Sequence, residues 1–305
     1  LVLTLDGDTV VGAAARSAVA LDGDLVPIPL SPDEFVARLS AMLPLSRVAY
    51  GLLAVTALEN AADISPAGDV ARGRAAALER ERIASHLSWL SEVGAQAGFG
   101  WLASRAAGLQ LQVQGADAGR IATLAPAITA LLRRAKAAPF LRMRLSGIGR
   151  LDQADAAGPV ARAQSRAEDA RDGDAIFGGL GFRPVTQDGG DALARFRQRC
   201  DEIGQSLRLI AGAGVITLPE PGNFPDVSGE GEAICETPRG AARLWLRLKA
   251  GRVEAAKLTT PSNRNLALIE ELTAEQELGD ALVAVASLDI SPWEITVRTG
   301  AGHHP

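Results

Sequence analysis

The chain opens with alternation. Leu1, Leu3 and Leu5 fall on one face, Asp6-Gly7-Asp8 follows as a turn, and Val10 and Val11 resume the apolar run. Period-two alternation around an Asp-Gly pair predicts a β-hairpin. Ser31-Pro32-Asp33-Glu34 then carries a helix-start signature, with Ser31 as N-cap and Glu34 completing a capping box, and the helix is expected to run to about Leu43. Residues 46–62 are apolar on every side, with Arg47 near the start and Glu59 near the end as the charges. A helix of that composition is buried, so this is expected to be the central helix.

A long helix is expected from Pro66 to about Val93, with Ile83, Leu87 and Leu90 as its buried stripe. Its early part, Arg72–Arg82, alternates acids and bases. It reads as a face held in water, with a docking surface for a partner subunit as the sharper alternative. His86 reads as a hydrogen-bonded core or boundary histidine. Residues 115–137 predict one or two further helices, and Arg133, Arg134 and Lys136 suit a helix C-terminus. Residues 147–158 are a looser polar stretch, and Phe177–Gly190 reads as a Gly-rich surface loop. The clearest helix is Asp191–Ala211, where Phe196, Cys200, Ile203, Leu207 and Ile210 form one stripe and make Cys200 a small core residue.

Arg243–Leu248 and Val253–Leu258 flank Ala250-Gly251 as a second hairpin. Short helices near 266–272 and Ala281 follow, then a short strand around Ile295. The predicted fold is mostly α with small β-sheets (α+β). A single domain over 1–305 is expected, with a β element at 1–30, a helical core at 31–215 and an α+β part at 230–300.

Composition narrows the chemistry. The 305 residues are 47% hydrophobic and 22% charged, with a net charge of -5, as in globular proteins that do not bind nucleic acid. No apolar run approaches the roughly 18 to 20 residues that span a bilayer. Asp6 and Asp8 interrupt the first apolar stretch, so no signal peptide is expected there, and the chain starts at Leu1 rather than Met. Cys200 and Cys235 are the two cysteines. With no C-x-x-C, neither a zinc ribbon nor a cysteine-ligated iron–sulfur cluster is expected from this chain, and a reducing, cytoplasmic setting is the default. G-x-S-x-G, P-loop and H-E-x-x-H motifs are missing too, so an independent hydrolase or transferase has no supporting constellation.

Several segments, taken in order, resemble the large subunit of nickel–iron hydrogenases, and most of all the branch that includes the 49-kilodalton subunit of respiratory complex I. They are Leu3–Val11, Ala57-Leu58-Glu59, Glu79–Leu87 with Gly98-Phe99, Gly158–Ala163 with Asp169-Ala-Arg171, Gly190–Arg195 leading into Gln205–Ile210, Glu236-Thr-Pro-Arg-Gly240 with Pro261-Ser262 and Asn265, and Ser287-Leu-Asp289. The resemblance implies a hydrogenase-like helical core and, in the ancestral chemistry, nickel held by two C-x-x-C pairs. Those positions fall on Leu43 and Ser46, and on Ser291 and Glu294, none of which is a cysteine. A hydrogenase histidine falls on Tyr50, and the glutamate of the proton relay, in Arg16-Ser-Ala-Val19, falls on Val19. The quinone-contacting His and Tyr of complex I fall on Ala15 and Ala54.

The resemblance leaves Tyr50, Cys235, Glu236, Arg239 and Asp289 as candidate retained site residues, with no confident catalytic residue, no metal and no cofactor in this chain. Arg239 is expected to pair with an internal Asp or Glu and fix its loop. Cys235 could face the old site, although a structural role is the simpler reading. Belonging by resemblance to an oxidoreductase family, the chain is expected to be inactive alone. It is expected to serve as a nickel-free large-subunit-like component of a multisubunit redox complex. Its partner would be an iron–sulfur small subunit carrying the clusters, and it would reach a membrane, on its cytoplasmic face, only through partners. The alternative is an assembly scaffold of the HupK type, partnered by a hydrogenase maturation protein.

Overall fold

The computed structural model describes residues 1–17, 21–22, 29–42, 44–222, 224 and 226–297. Leu43 and Val19, named above, lie outside them, as do His303 and His304. Strands β1 (Val2–Asp6) and β2 (Thr9–Ala14) pair antiparallel around Gly7 and Asp8, as the alternation predicts. The expected apolar face is not covered: Leu1 and Leu5 stay exposed, and the hairpin's buried contribution is Val10. Val10 is held by backbone bonds to Gln276 (2.9 Å) and from Glu275 (3.0 Å). The short β3 (Leu21–Asp22) pairs in parallel with a strand from the far end of the chain.

Helix α1 (Pro32–Met42) starts with the predicted capping box: the Glu34 carboxylate accepts from the Ser31 backbone and hydroxyl, both at 2.9 Å, and the Ser31 hydroxyl accepts from Glu34 N. Helix α2 (Arg47–Ala61) is buried as expected, with Leu53, Val55 and Leu58 fully enclosed. Each such side chain stabilises the fold by roughly 1.5–3 kcal/mol. Helix α3 (Gly68–Gln96) follows, with Ile83, Leu87 and Leu90 buried as read.

Helix α4 (Gly100–Val113) was not anticipated from the sequence; α5 (Ala118–Ala137) was, and α6 (Pro139–Leu145) extends it. The turn-like helices α7 (Gly158–Arg162) and α8 (Ala175–Gly179) lead to α9 (Ala192–Ala213). The Phe177–Gly190 segment is not wholly a surface loop: α8 ends inside it, and Phe177 and Phe182 are buried, with ring centroids 5.9 Å apart. Apolar faces of α3, α4, α5 and α9 form the second of two large cores, and Cys200 sits in it.

The predicted C-terminal hairpin, β5 (Gly240–Lys249) and β6 (Arg252–Thr259), is joined by β4 (Gly229–Thr237) into an antiparallel sheet of order β4-β5-β6. Helix α2 lies against β4 because Gly231 has no side chain: a Cβ there would meet the Ala57 carbonyl at 2.0 Å. The first core fills the space between α1, α2 and the sheet. Instead of one helix near 266–272 there are two, α10 (Ser262–Leu266) and α11 (Ile269–Thr273), followed by α12 (Leu278–Ser287). A 3₁₀ turn, Pro292–Glu294, leads to β7 (Thr296–Val297), the partner of β3.

Candidate functional site

Three loops meet at Arg239: the start of α2, the β4–β5 turn and the segment after α12. Arg239 is nearly buried. Its Nε donates to the Asp289 carboxylate (3.1 Å) and carbonyl (3.1 Å), and one terminal nitrogen donates to the Ser46 hydroxyl at 3.3 Å. The other terminal nitrogen lies 3.1 Å from the same Asp289 carboxylate, and Glu294 is 3.9 Å away. Burial opposes the guanidinium charge, but Asp289 and Glu294 more than offset it and hold Arg239 above its ordinary value. The turn can approach the α7 loop because Gly158 is glycine: its φ is +57°, and a Cβ would sit 2.2 Å from the Arg239 carbonyl.

Glu294 is fixed by Ser262, which donates at 2.6 Å, and by Ser46 at 3.5 Å; the Ser291 backbone donates to Ser262 at 3.4 Å. Thr260 donates its hydroxyl to the Glu294 carbonyl. Burial pushes the Glu294 carboxyl up, against the pull of Arg239. Tyr50 is fully buried beside Glu294, and burial followed by that charge pushes its phenol well above the ordinary value. Its hydroxyl makes no well-formed hydrogen bond among the described residues. Asp289 has a left-handed backbone, φ 57°, which an aspartate tolerates better than most side chains. Arg199 stands 3.9 Å from its other oxygen and stacks 4.2 Å over Trp89.

Of the residues singled out in the sequence, Ser46, Tyr50, Arg239, Asp289, Ser291 and Glu294 therefore converge. Arg239 pairs with an internal carboxylate, as expected. Cys235 packs in the apolar core between α2 and the sheet, where burial pushes its thiol up, as a structural cysteine's would be. Ala54 is buried on α2, Ala15 packs against a smaller core, and Arg16 is exposed. The contributions of Ser262 and Arg199 were missed. Ser262 and Arg199 lie in or beside motif segments, but sequence spacing does not reveal which way they point.

Glu236 belongs to a second cluster, and here the reading of Arg72–Arg82 as a solvated face is corrected. Arg74, Glu79, Glu81 and Arg82 all point inward. Arg74 pairs with Glu59 at 2.8 Å. Glu81 accepts from the Val48 and Ala49 amides (2.6 and 2.8 Å), capping α2, and burial raises it to about 7 despite those bonds. Glu79 accepts from Arg171 (2.9 Å) and Ser206 (2.5 Å). Arg82 donates to the Glu236 and Thr237 carbonyls at 2.6 and 3.1 Å. Arg162 bridges Glu202 (2.9 Å), Glu236 (2.8 Å) and Asp169 (3.1 Å), and His86 meets Glu202 at 2.9 Å, a hydrogen-bonded core histidine as read. Alternating charges on a helix do not reveal whether water or protein answers them. The partners lie 70 or more positions away in several of these pairs.

The family described as respiratory-chain NADH dehydrogenase, 49 Kd subunit, matches residues 108–225. An NADH-quinone oxidoreductase subunit of Opitutus terrae is 33% identical over 168 residues, 50% of this chain and 42% of that one. The chain resembles the family of complex I 49-kilodalton subunits and hydrogenase large subunits. The alpha subunit of the membrane-bound hydrogenase of Pyrococcus furiosus is 32% identical over 158 residues, 44% of this chain and 37% of that one. These matches span about half, or less, of the length of such relatives. A chain in the structure of the membrane-bound sulfane sulfur reductase, an archaeal respiratory membrane complex, shares the fold. Its TM-score is 0.81 at 20% identity, covering 96% of this chain and 93% of that one. No helix among the described residues is long and apolar enough to cross a membrane.

Proposed function

We propose that this chain is a nickel-free, large-subunit-like component of a multisubunit redox complex related to hydrogenases and NADH:quinone oxidoreductases, and that it does not turn over hydrogen. The observation that carries this reading is the Arg239 cluster. The positions that the resemblance assigns to the second thiolate pair, together with Ser46 of the first, are occupied by two serines and a glutamate; the Ser46 hydroxyl donates to Glu294 and accepts from Arg239, whose guanidinium stands 3.9 Å from the Glu294 carboxylate. Nickel of the hydrogenase kind needs soft sulfur donors. These donors are hard, a fixed cation stands among them, and both cysteines lie in apolar cores. No group of three or more His, Cys, Asp or Glu among the described residues is arranged to hold a metal ion. The residues do not fit the ancestral metal.

Electrons would be handled by iron–sulfur clusters on a partner subunit, and membrane association would come through partners. The relatives' names, subunits of quinone-linked and membrane-bound complexes, support that setting. The test is purification of the chain under native conditions. A stoichiometric iron–sulfur subunit is expected with it. Recovery with a hydrogenase maturation chaperone, and no iron–sulfur subunit, would overturn the reading in favour of an assembly scaffold.

A further inference from the structure

The cluster around Glu236 is not balanced in charge. Four carboxylates, Glu79, Asp169, Glu202 and Glu236, face three guanidiniums, Arg82, Arg162 and Arg171. All seven are buried. Arg199 on α9 is directed at Asp289 and Trp89; it feels Glu202 less than Asp289 and makes no bond to it among the described residues. Uncompensated charge in such a medium is costly, and a protein neutralises it by holding a proton.

Geometry says where. Glu79 is met by Arg171, Arg82 and Ser206; Asp169 by Arg171 and Arg162; Glu202 by Arg162, Gln198 and His86. Glu236 is met by Arg162 and by one backbone amide, that of Ala170, at 3.1 Å. Arg82 reaches its carbonyl, not its carboxylate. His86 is the other candidate, but its Nδ1 has no acceptor among the described residues, so an imidazolium would bury an unpaired N–H. Glu236 also has an exit. Two clefts flank Ile234 on β4, one running past Arg74, Asp174 and Phe177, the other past Asp169, Thr260 and Arg264, and Glu236 lines both.

We infer that this buried network is a proton-binding site, which holds one exchangeable proton on the Glu236 carboxylate and trades it with solvent through the clefts beside β4. Burial and the Asp169 charge both push Glu236 up, whereas the guanidiniums outweigh burial at Asp169 and hold it down to about 2. Burial carries His86 down to about 4 despite Glu202. The remaining groups acting on Glu236 are Arg171 and Arg82, both of which favour its charged form, and Cys235 is its neighbour on the same strand. The inference does not depend on which complex the chain serves.

The test is infrared difference spectroscopy of the full chain, wild type against Glu236→Gln, from mildly acidic to mildly alkaline pH, with deuterium exchange. Wild type is expected to show the carbonyl band of a protonated carboxylic acid that Glu236→Gln lacks. The band should shift on deuteration and fade as pH rises. Glu81 and Glu294 cancel in the difference. Asp169→Asn removes the excess carboxylate, so the band should be lost there with Glu236 intact; this arm stands even if Glu236→Gln fails to fold. A band of equal size in wild type and Glu236→Gln, its persistence in Asp169→Asn, or an imidazolium signal from His86 at neutral pH would overturn the proposal.

Discussion

Replacing Arg239 by Met removes the guanidinium and keeps most of the hydrocarbon. In the folded protein Arg239 is 9% exposed and answers two carboxylates, Asp289 at 3.1 Å and Glu294 at 3.9 Å. Breaking a buried pair by deleting one partner typically costs about 3–5 kcal/mol, because the remaining charge stays buried and unanswered. That is a large share of a stability of about 5–15 kcal/mol. Burial already pushes the Glu294 carboxyl up, and removing the Arg239 charge, its strongest opposing influence, pushes it further the same way. The loss should therefore shrink as pH is lowered, and Glu294→Gln added to the variant should recover part of it, about 0.5–3 kcal/mol of coupling. Urea unfolding of the single and double variants, at neutral and acidic pH, measures all three. A loss below about 1 kcal/mol, the range of exposed ion pairs, would refute the view of Arg239 as the buried centre of this site.

Other outcomes follow from the same physics. Glu81 has a folded value of about 7 against an ordinary 4.5, so it favours the native state below 4.5 and that contribution is lost as pH rises towards 7. A pH series of unfolding free energies should fall over this window by on the order of 3 kcal/mol more in wild type than in Glu81→Gln. His86 is depressed to about 4 from 6.5, so its contribution is present above 6.5 and lost as pH falls to 4; His86→Gln should remove that acid-side loss in the same series. Gly158→Ala should cost more than about 2 kcal/mol by thermal unfolding, since it combines a left-handed backbone with a carbonyl 2.2 Å from the new carbon. Arg195, buried with only neutral acceptors at Gly149, Gly190 and Ser287, is lowered to about 9 by burial and Arg199. Arg195→Ala should lose about 3 kcal/mol or more by the same measurement, because three buried acceptors are left unpaired.

The sequence made some elements legible and hid others for identifiable reasons. The all-apolar run of α2, the Ser31–Glu34 box of α1 and the stripe of α9 depend on neighbours within a few residues, and each formed as read. Strand β4 did not show, because its glycines and glutamates suit a strand packed by a helix rather than a strand with an apolar face. Helix α4 was hidden by mixed glycine, glutamine and alanine content. At the site, Arg239, Ser46, Asp289 and Glu294 could be named from motif order. Their mutual bonds could not, because they join positions up to 248 residues apart. The inward turn of Glu79 and Arg82 is the clearest case: propensity fixes that α3 is a helix, and only partners between α7 and α8, on α9 and on β4 decide which face is wet.

Nickel content measured on the natively purified chain with its partners, against chain concentration from amino-acid analysis, tests the central claim most directly. The account predicts no stoichiometric nickel, with any iron accounted for by a partner subunit's clusters. One nickel per chain, retained through purification and lost when Ser46, Arg239 or Glu294 is replaced, would contradict it.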